Sequence, residues 1–217
     1  TAQGAVTIDI AGSVAVDGAG NNNTAATQLS VTYDSSAPSV VLSTTASNPT
    51  GTSPIPVTAQ FSETVTGFVI GDITVANGTA GNFVAVDGDT YTFDITPTAQ
   101  GVVTIDVAGS VALDTAGNNN SAATQLSVTY DSSAPSVVLS TGVTSPTSTS
   151  PFSVTAQFSE TVTGFVIGDI TVTNGTAGNF VAVDGDTYTF DITPTAQGVV
   201  TVDVAGSVAI DGAGNNN

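Results

Sequence analysis

An internal repeat with a period of 97 residues constrains this 217-residue chain more than any other feature. The run DSSAPSVVLST begins at Asp34 and again at Asp131, and Thr1-Ala2-Gln3-Gly4 recurs at Thr98 and at Thr195. Residues 34–120 and 131–217 align over 87 positions without insertion and differ at 11 of them. Seven of those differences lie between Thr45 and Pro56, which marks one tolerant loop. The chain therefore divides into the last third of one copy (1–33), a complete copy (34–130), and a copy lacking its terminal segment (131–217). A unit of this length is too long for a solenoid repeat and suits an independently folding domain. With no initiator Met, the chain reads as a window on a longer periodic protein.

Within the complete copy the apolar period is two. Val57, Ala59 and Phe61 alternate with Thr58, Gln60 and Ser62. Tyr91, Phe93 and Ile95, then Val103, Ile105 and Val107, then Leu126, Val128 and Tyr130 repeat the pattern. Less regular strands are expected at 39–44, 72–76 and 82–86. Breakers separate them: Asn48-Pro-Thr-Gly51, Asn77-Gly78, Asp87-Gly-Asp89, Pro97-Thr-Ala-Gln-Gly101 and Ala116-Gly-Asn118. No ten-residue stretch carries a helical stripe. Seven strands in such a unit predict an all-β chain of tandem immunoglobulin-like β-sandwich domains, beads on a string.

Composition then narrows the chemistry. The chain has 18 Asp plus Glu and no Lys, Arg, His, Cys, Met or Trp, for a net charge of −18. Nothing can neutralise nucleic-acid phosphate. Disulfides, thiol chemistry, His or Cys metal sites and Ser–His or Cys–His nucleophiles are excluded. No apolar run reaches a membrane span, so membrane insertion is not expected. Carboxylates, hydroxyls, amides and backbone remain.

Labelling the strands A to G places the B–C, D–E and F–G loops at the pole beside the incoming linker. Asp34 in the linker, Glu63 and Asp72 flanking B–C, Asp87 and Asp89 in D–E, and Asp114 in F–G gather there. Clustered carboxylates without a cation splay apart, take up protons, or bind a metal. All-oxygen ligands on irregular loops suit Ca²⁺, whereas zinc favours His or Cys. Calcium at the domain junction is the leading expectation.

The sequence from DSSAP through FSETVTGF, GDITVANGT, TYTFDITPTAQG and DTAGN resembles the bacterial immunoglobulin-like tandem repeats of giant type I-secreted (RTX-type) surface adhesins. The resemblance implies a calcium-stiffened extender stalk on the bacterial cell surface, whose partners are neighbouring repeats of the same chain. It implies metal ligands at Asp34, Glu63, Asp114 and Asn118, and in the next copy at Asp131, Glu160, Asp211 and Asn215. Asp72 and Asp169 are plausible additions. The GGxGxD motif of calcium-binding β-rolls is absent.

Plainer readings stand beside these. Pro38 stiffens the linker whether or not Asp34 ligates, Glu63 can be a solvated loop residue, and Asp114–Asn118 can be a self-satisfied turn. Asp87-Gly-Asp89 reads first as a hairpin turn, Asp94 and Asp106 as solvated strand faces, and Phe68 and Phe165 as core or pole caps. Asn22, Asn77, Asn119 and Asn174 fit glycosylation sequons but read first as turn residues. Paired carboxylates without a substrate cleft do not make an enzyme. The rival is a self-assembling extracellular filament or surface-layer subunit, with like chains as partners. In it, a strand from another chain completes the open sheet edge of 131–217.

Overall fold

The computed structural model describes residues 3–217. Thr1 and Ala2, which open the first copy, lie outside the described residues. The first copy contributes β1 (Gly4–Ile8) and β2 (Leu29–Tyr33), paired antiparallel. The second contains β3 (Val40–Thr44), β4 (Ile55–Phe61), β5 (Ile73–Ala76), β6 (Gly78–Ala85), β7 (Thr90–Pro97), β8 (Gly101–Val107) and β9 (Leu126–Tyr130). The third contains β10 (Val137–Thr141), β11 (Phe152–Phe158), β12 (Ile170–Thr173), β13 (Gly175–Ala182), β14 (Thr187–Pro194) and β15 (Thr201–Val204).

In the complete copy one sheet has the order β3-β4-β7-β6 and the other β5-β8-β9. In strand letters these are ABED and CFG, the constant-type immunoglobulin arrangement. The alternation along β4 buries Ile55, Val57, Ala59 and Phe61 while the residues between them stay more exposed. They face Val103, Ile105 and Val107 of β8, and Val128 of β9 packs in the same core. Burying such side chains contributes roughly 1.5–3 kcal/mol each relative to exposure. Four aromatic rings close the core at the linker pole. Phe68 meets Phe61, Phe83 and Tyr91 at centroid distances of 5.2, 5.6 and 5.1 Å, and the Tyr91 hydroxyl donates to the Val65 carbonyl. The third copy repeats this cluster around Phe165.

Two strands begin earlier than the periodicity predicts. β4 starts at Ile55 and runs through Pro56, because β3 has already ended and that position pairs on one side only, where a proline is tolerated. β6 starts at Gly78 rather than near residue 82, and a register shift between Gly81 and Val84 breaks its alternation. Pairing with β7 overrides the weak strand preference of its glycines.

The β1–β2 pair keeps the register of β8–β9, and without a facing sheet the side chains that the complete copy buries are exposed. Val6 is 52% exposed and its equivalent Val103 is 0%. The third copy has only β12 and β15 in its second sheet.

Candidate metal centre

The fold brings three carboxylates together from three separate segments, twice. One oxygen each from Asp34, Glu63 and Asp114 lie within 4.8 Å of one another, and the same holds for Asp131, Glu160 and Asp211. Asp34 arrives from the linker before β3, Glu63 from the turn after β4, and Asp114 from the loop between β8 and β9. Alternating strand direction delivers all three to the linker pole.

Local hydrogen bonds fix each side chain differently. Asp114, buried, accepts from the Ala116 and Asn118 amides through Oδ1, both at 2.8 Å. Its Oδ2 accepts from Asn118 Nδ2 at 2.8 Å, and Gly117 turns the loop with φ +90°. Asp34 Oδ1 accepts from the Ser36 amide at 2.9 Å. Among the described residues, no protein group donates to the Glu63 or Glu160 carboxylate. A carboxylate has about four acceptor positions, so even Asp114 keeps capacity beyond its turn bonds.

The charges answer to this arrangement. Partial burial pushes the Glu63 carboxyl up, and the Asp114 and Asp34 charges push it further. Burial, Asp211 and Asp131 do the same to Glu160. The Asn118 side chain leads the bonds that hold Asp114 below the ordinary carboxylate range, against the effect of burial. For Asp211 burial is the largest influence and raises its pKa, yet the Asn215 side chain and the loop amides together hold it low.

The donor set fits a calcium ion. Oxygens bound to Ca²⁺ at 2.3–2.6 Å are at most about 5 Å apart across the ion, the span within which these carboxylates lie. Irregular loops allow its flexible coordination, and no His or Cys is present to favour zinc.

The remaining predicted site residues take other places. Asn118 Nδ2 is a donor to Asp34 O and Asp114 Oδ2, so it positions the cluster through its nitrogen. Asn215 does the same for Asp131 O and Asp211 Oδ2. Asp72 and Asp169 fall outside the clusters. Each carboxylate turns back onto the 3-10 turn that bears it and accepts from the amide of Val69 or Val166 at 2.8 Å. Asp87 accepts from the Asp89 and Thr90 amides in the β6–β7 turn. Asp94 and Asp106 each receive a side-chain amide, from Asn82 and Gln125.

One residue that sequence reasoning passed over supports the whole loop. Asn120, buried, accepts from the Val111 and Ala112 amides and donates to the Ala108 and Ser121 carbonyls. Asn23 and Asn217 repeat the pairing with two successive loop amides. The Asn triplets at 21–23, 118–120 and 215–217 were the available signal.

A family model described as a bacterial Ig-like domain matches residues 34–130 and 131–217. Among solved structures the chain is similar to invasin, a bacterial integrin-binding protein. There the identity is 14% and the TM-score 0.43, over 84% of this chain and 40% of that one. Yersinia pseudotuberculosis InvD is similar at 16% identity and a TM-score of 0.34, over 80% of this chain and 54% of that one. For the Yersinia pseudotuberculosis adhesin InvE the values are 13% and 0.28, over 83% and 56%. The chain thus spans from 40% to 56% of the length of these three structures. No curated protein matches it. Two adjoining matches cover everything from Asp34 to Asn217, and the chain belongs to the bacterial Ig-like domain family, with two members in tandem.

Proposed function

We propose that this chain is part of the extender stalk of a giant extracellular bacterial adhesin, stiffened by calcium at its interdomain junctions. The observation that carries the reading is the recurrence of three converging carboxylates at the linker pole of both repeats, in a protein with no cationic side chain.

The junction residues support a stiffening role. β9 ends at Tyr130 and β10 begins at Val137, so only the linker 131–136 separates the strands of the second repeat from those of the third. Asp131 belongs to the linker, Glu160 to the turn after β11, and Asp211 to the loop after β15, so fixing all three fixes the linker against two loops of the domain it enters. A bound calcium ion would supply the positive charge that lets these carboxylates remain close while ionised. Asn215 and Asn118 hold the aspartates in place before any ion arrives.

The role is spacing rather than catalysis. Near-identical repeats multiply length: at about 3.3 Å per residue the eight-residue strands alone give each domain roughly 26 Å, to which the loops and linker add. The partners are the neighbouring repeats, and the location is the outside of a bacterial cell. A net charge of −18 keeps adjacent stalks apart. No helix among the described residues is long and apolar enough to cross a membrane.

Small-angle scattering of the chain in calcium and in chelator tests the proposal. The expected result is an elongated particle in calcium and a broader spread of dimensions in chelator, where the junction at Asp34 is freed. Identical profiles in both conditions contradict the calcium-stiffened stalk. A multi-chain assembly indifferent to calcium would turn the reading toward a self-assembling filament.

A further inference from the structure

The second and third repeats touch through a contact that involves no acidic side chain. The loop between β3 and β4 lies at the far pole of the second repeat, and its tip meets the 211–215 loop of the third. The Gly51 amide donates to the Ala213 carbonyl at 3.0 Å. Pro49 Cγ would stand 3.7 Å from a β-carbon placed on Gly212. Thr50 is fully buried, its amide donating to Thr129 O and its carbonyl accepting from the Asp131 amide, both at 2.9 Å. Asn48 ties the loop to β9 by accepting from the Thr129 amide at 2.9 Å.

Gly51 fits for want of a side chain. Its φ is not positive, so backbone freedom does not require glycine here. A β-carbon would lie 2.7 Å from Asn215 Oδ1, 3.3 Å from Asp131 O and 3.4 Å from Ala213 O. Two of those neighbours are backbone. The third is pinned, because Asn215 Nδ2 donates to Asp131 O at 3.0 Å and to Asp211 Oδ2 at 2.9 Å. Any side chain at this position must dislodge Asn215 or lift the loop away.

The same loop is where the repeats diverge. Asn48 corresponds to Ser145, and Gly51 to Ser148. Ser148 carries the β-carbon for which the Gly51 junction has no room.

We propose that the 48–51 loop is a docking surface for the Asp211–Asn215 loop of the following repeat, and that the residue at the position of Gly51 selects the kind of joint. Glycine closes the joint, and serine leaves it open. This deepens the stalk reading and rests on it for its biological sense, but the contact itself needs no calcium. A stalk built this way has stiff and free joints written into one loop.

The test uses the full chain with Val84→Cys and Val181→Cys, both exposed and one in each repeat, carrying spin labels. The protein has no native cysteine to interfere. Distance distributions are recorded for this protein and its Gly51→Ser form, each in chelator and in calcium. Serine occupies the equivalent position in the third repeat, so the variant is expected to fold, and amide spectra of the two cores check this. The expected result in chelator is one narrow distance for the parent and loss of that narrow population in Gly51→Ser. A narrow distance in both proteins overturns the docking loop and leaves the stalk standing. A parent that is narrow only in calcium overturns it too, while favouring the metal. A parent that is broad in both conditions overturns the docking loop and the stiff stalk together.

Discussion

Asn118 reaches across 84 positions of sequence to donate from Nδ2 to the Asp34 backbone carbonyl, 3.3 Å away. The same nitrogen holds Asp114 Oδ2 at 2.8 Å. One amide therefore joins the linker to the loop that carries the buried aspartate, so the carboxylate group is assembled by protein bonds.

Removing that brace weakens the site and leaves all three carboxylates in the chain. Asn118→Ala is expected to lower calcium affinity about 10–100-fold, the usual cost of losing a residue that orients a metal ligand. Its apo form also loses the leading bond that holds Asp114 low, so the Asp114 carboxyl titrates at higher pH. Carboxyl-detected NMR titration and calorimetry measure the two effects separately.

Neutralising the carboxylate with no protein donor has opposite effects in the two metal states. In chelator, Glu63→Gln together with Glu160→Gln is expected to raise the melting temperature by a few degrees, because repulsion from the paired aspartates disappears. In excess calcium the same variant gains nothing further from the metal. Melting curves in both conditions check this, and a variant less stable than wild type in chelator contradicts it.

The pH dependence of the chelated protein has two limbs. Glu63 and Glu160 have raised pKa values, so the folded state binds more protons than the unfolded one between their ordinary and raised values. Stability there falls as pH rises through the raised pKa. Asp114 and Asp211 are lowered, so the stability they add is present above the ordinary aspartate value and is lost as pH falls through the lowered one. Denaturant unfolding in chelator should show stability lost as pH falls through the lowered aspartate values, and a decline as pH rises through the raised glutamate values. Calcium should abolish the decline.

Asn120→Ala is expected to destabilise the second repeat by about 3 kcal/mol, since several loop backbone groups lose their partner at a buried site and each unpaired group costs roughly 1–3 kcal/mol. Its side chain makes four hydrogen bonds. Urea unfolding checks it, with Asn120→Asp as the variant that keeps the acceptor and loses the donor.

The strands that were legible in sequence are those whose two faces differ. β8 alternates cleanly because Val103, Ile105 and Val107 face the core and the residues between them do not. β6 was legible only in its second half, because Gly78 and Gly81 carry no apolar signal and the register shift interrupts the period. Asp34, Glu63 and Asp114 could be brought to one pole by strand direction alone. The same reasoning could not exclude Asp72, whose carboxylate turns to the Val69 amide through geometry within a single short turn. Asn120 was hidden because an asparagine in a turn-rich run looks like every other. The 48–51 loop was hidden for another reason, since its partner lies in the next domain and no periodicity marks a contact between domains.

Titration calorimetry of calcium into the metal-free chain, alongside Asp34→Asn with Asp131→Asn, tests the central claim most directly. The account predicts saturable binding by the wild-type chain, a higher melting temperature on saturation, and loss of both in the double variant. Absence of binding by the wild-type chain, or equal binding by the double variant, would contradict it.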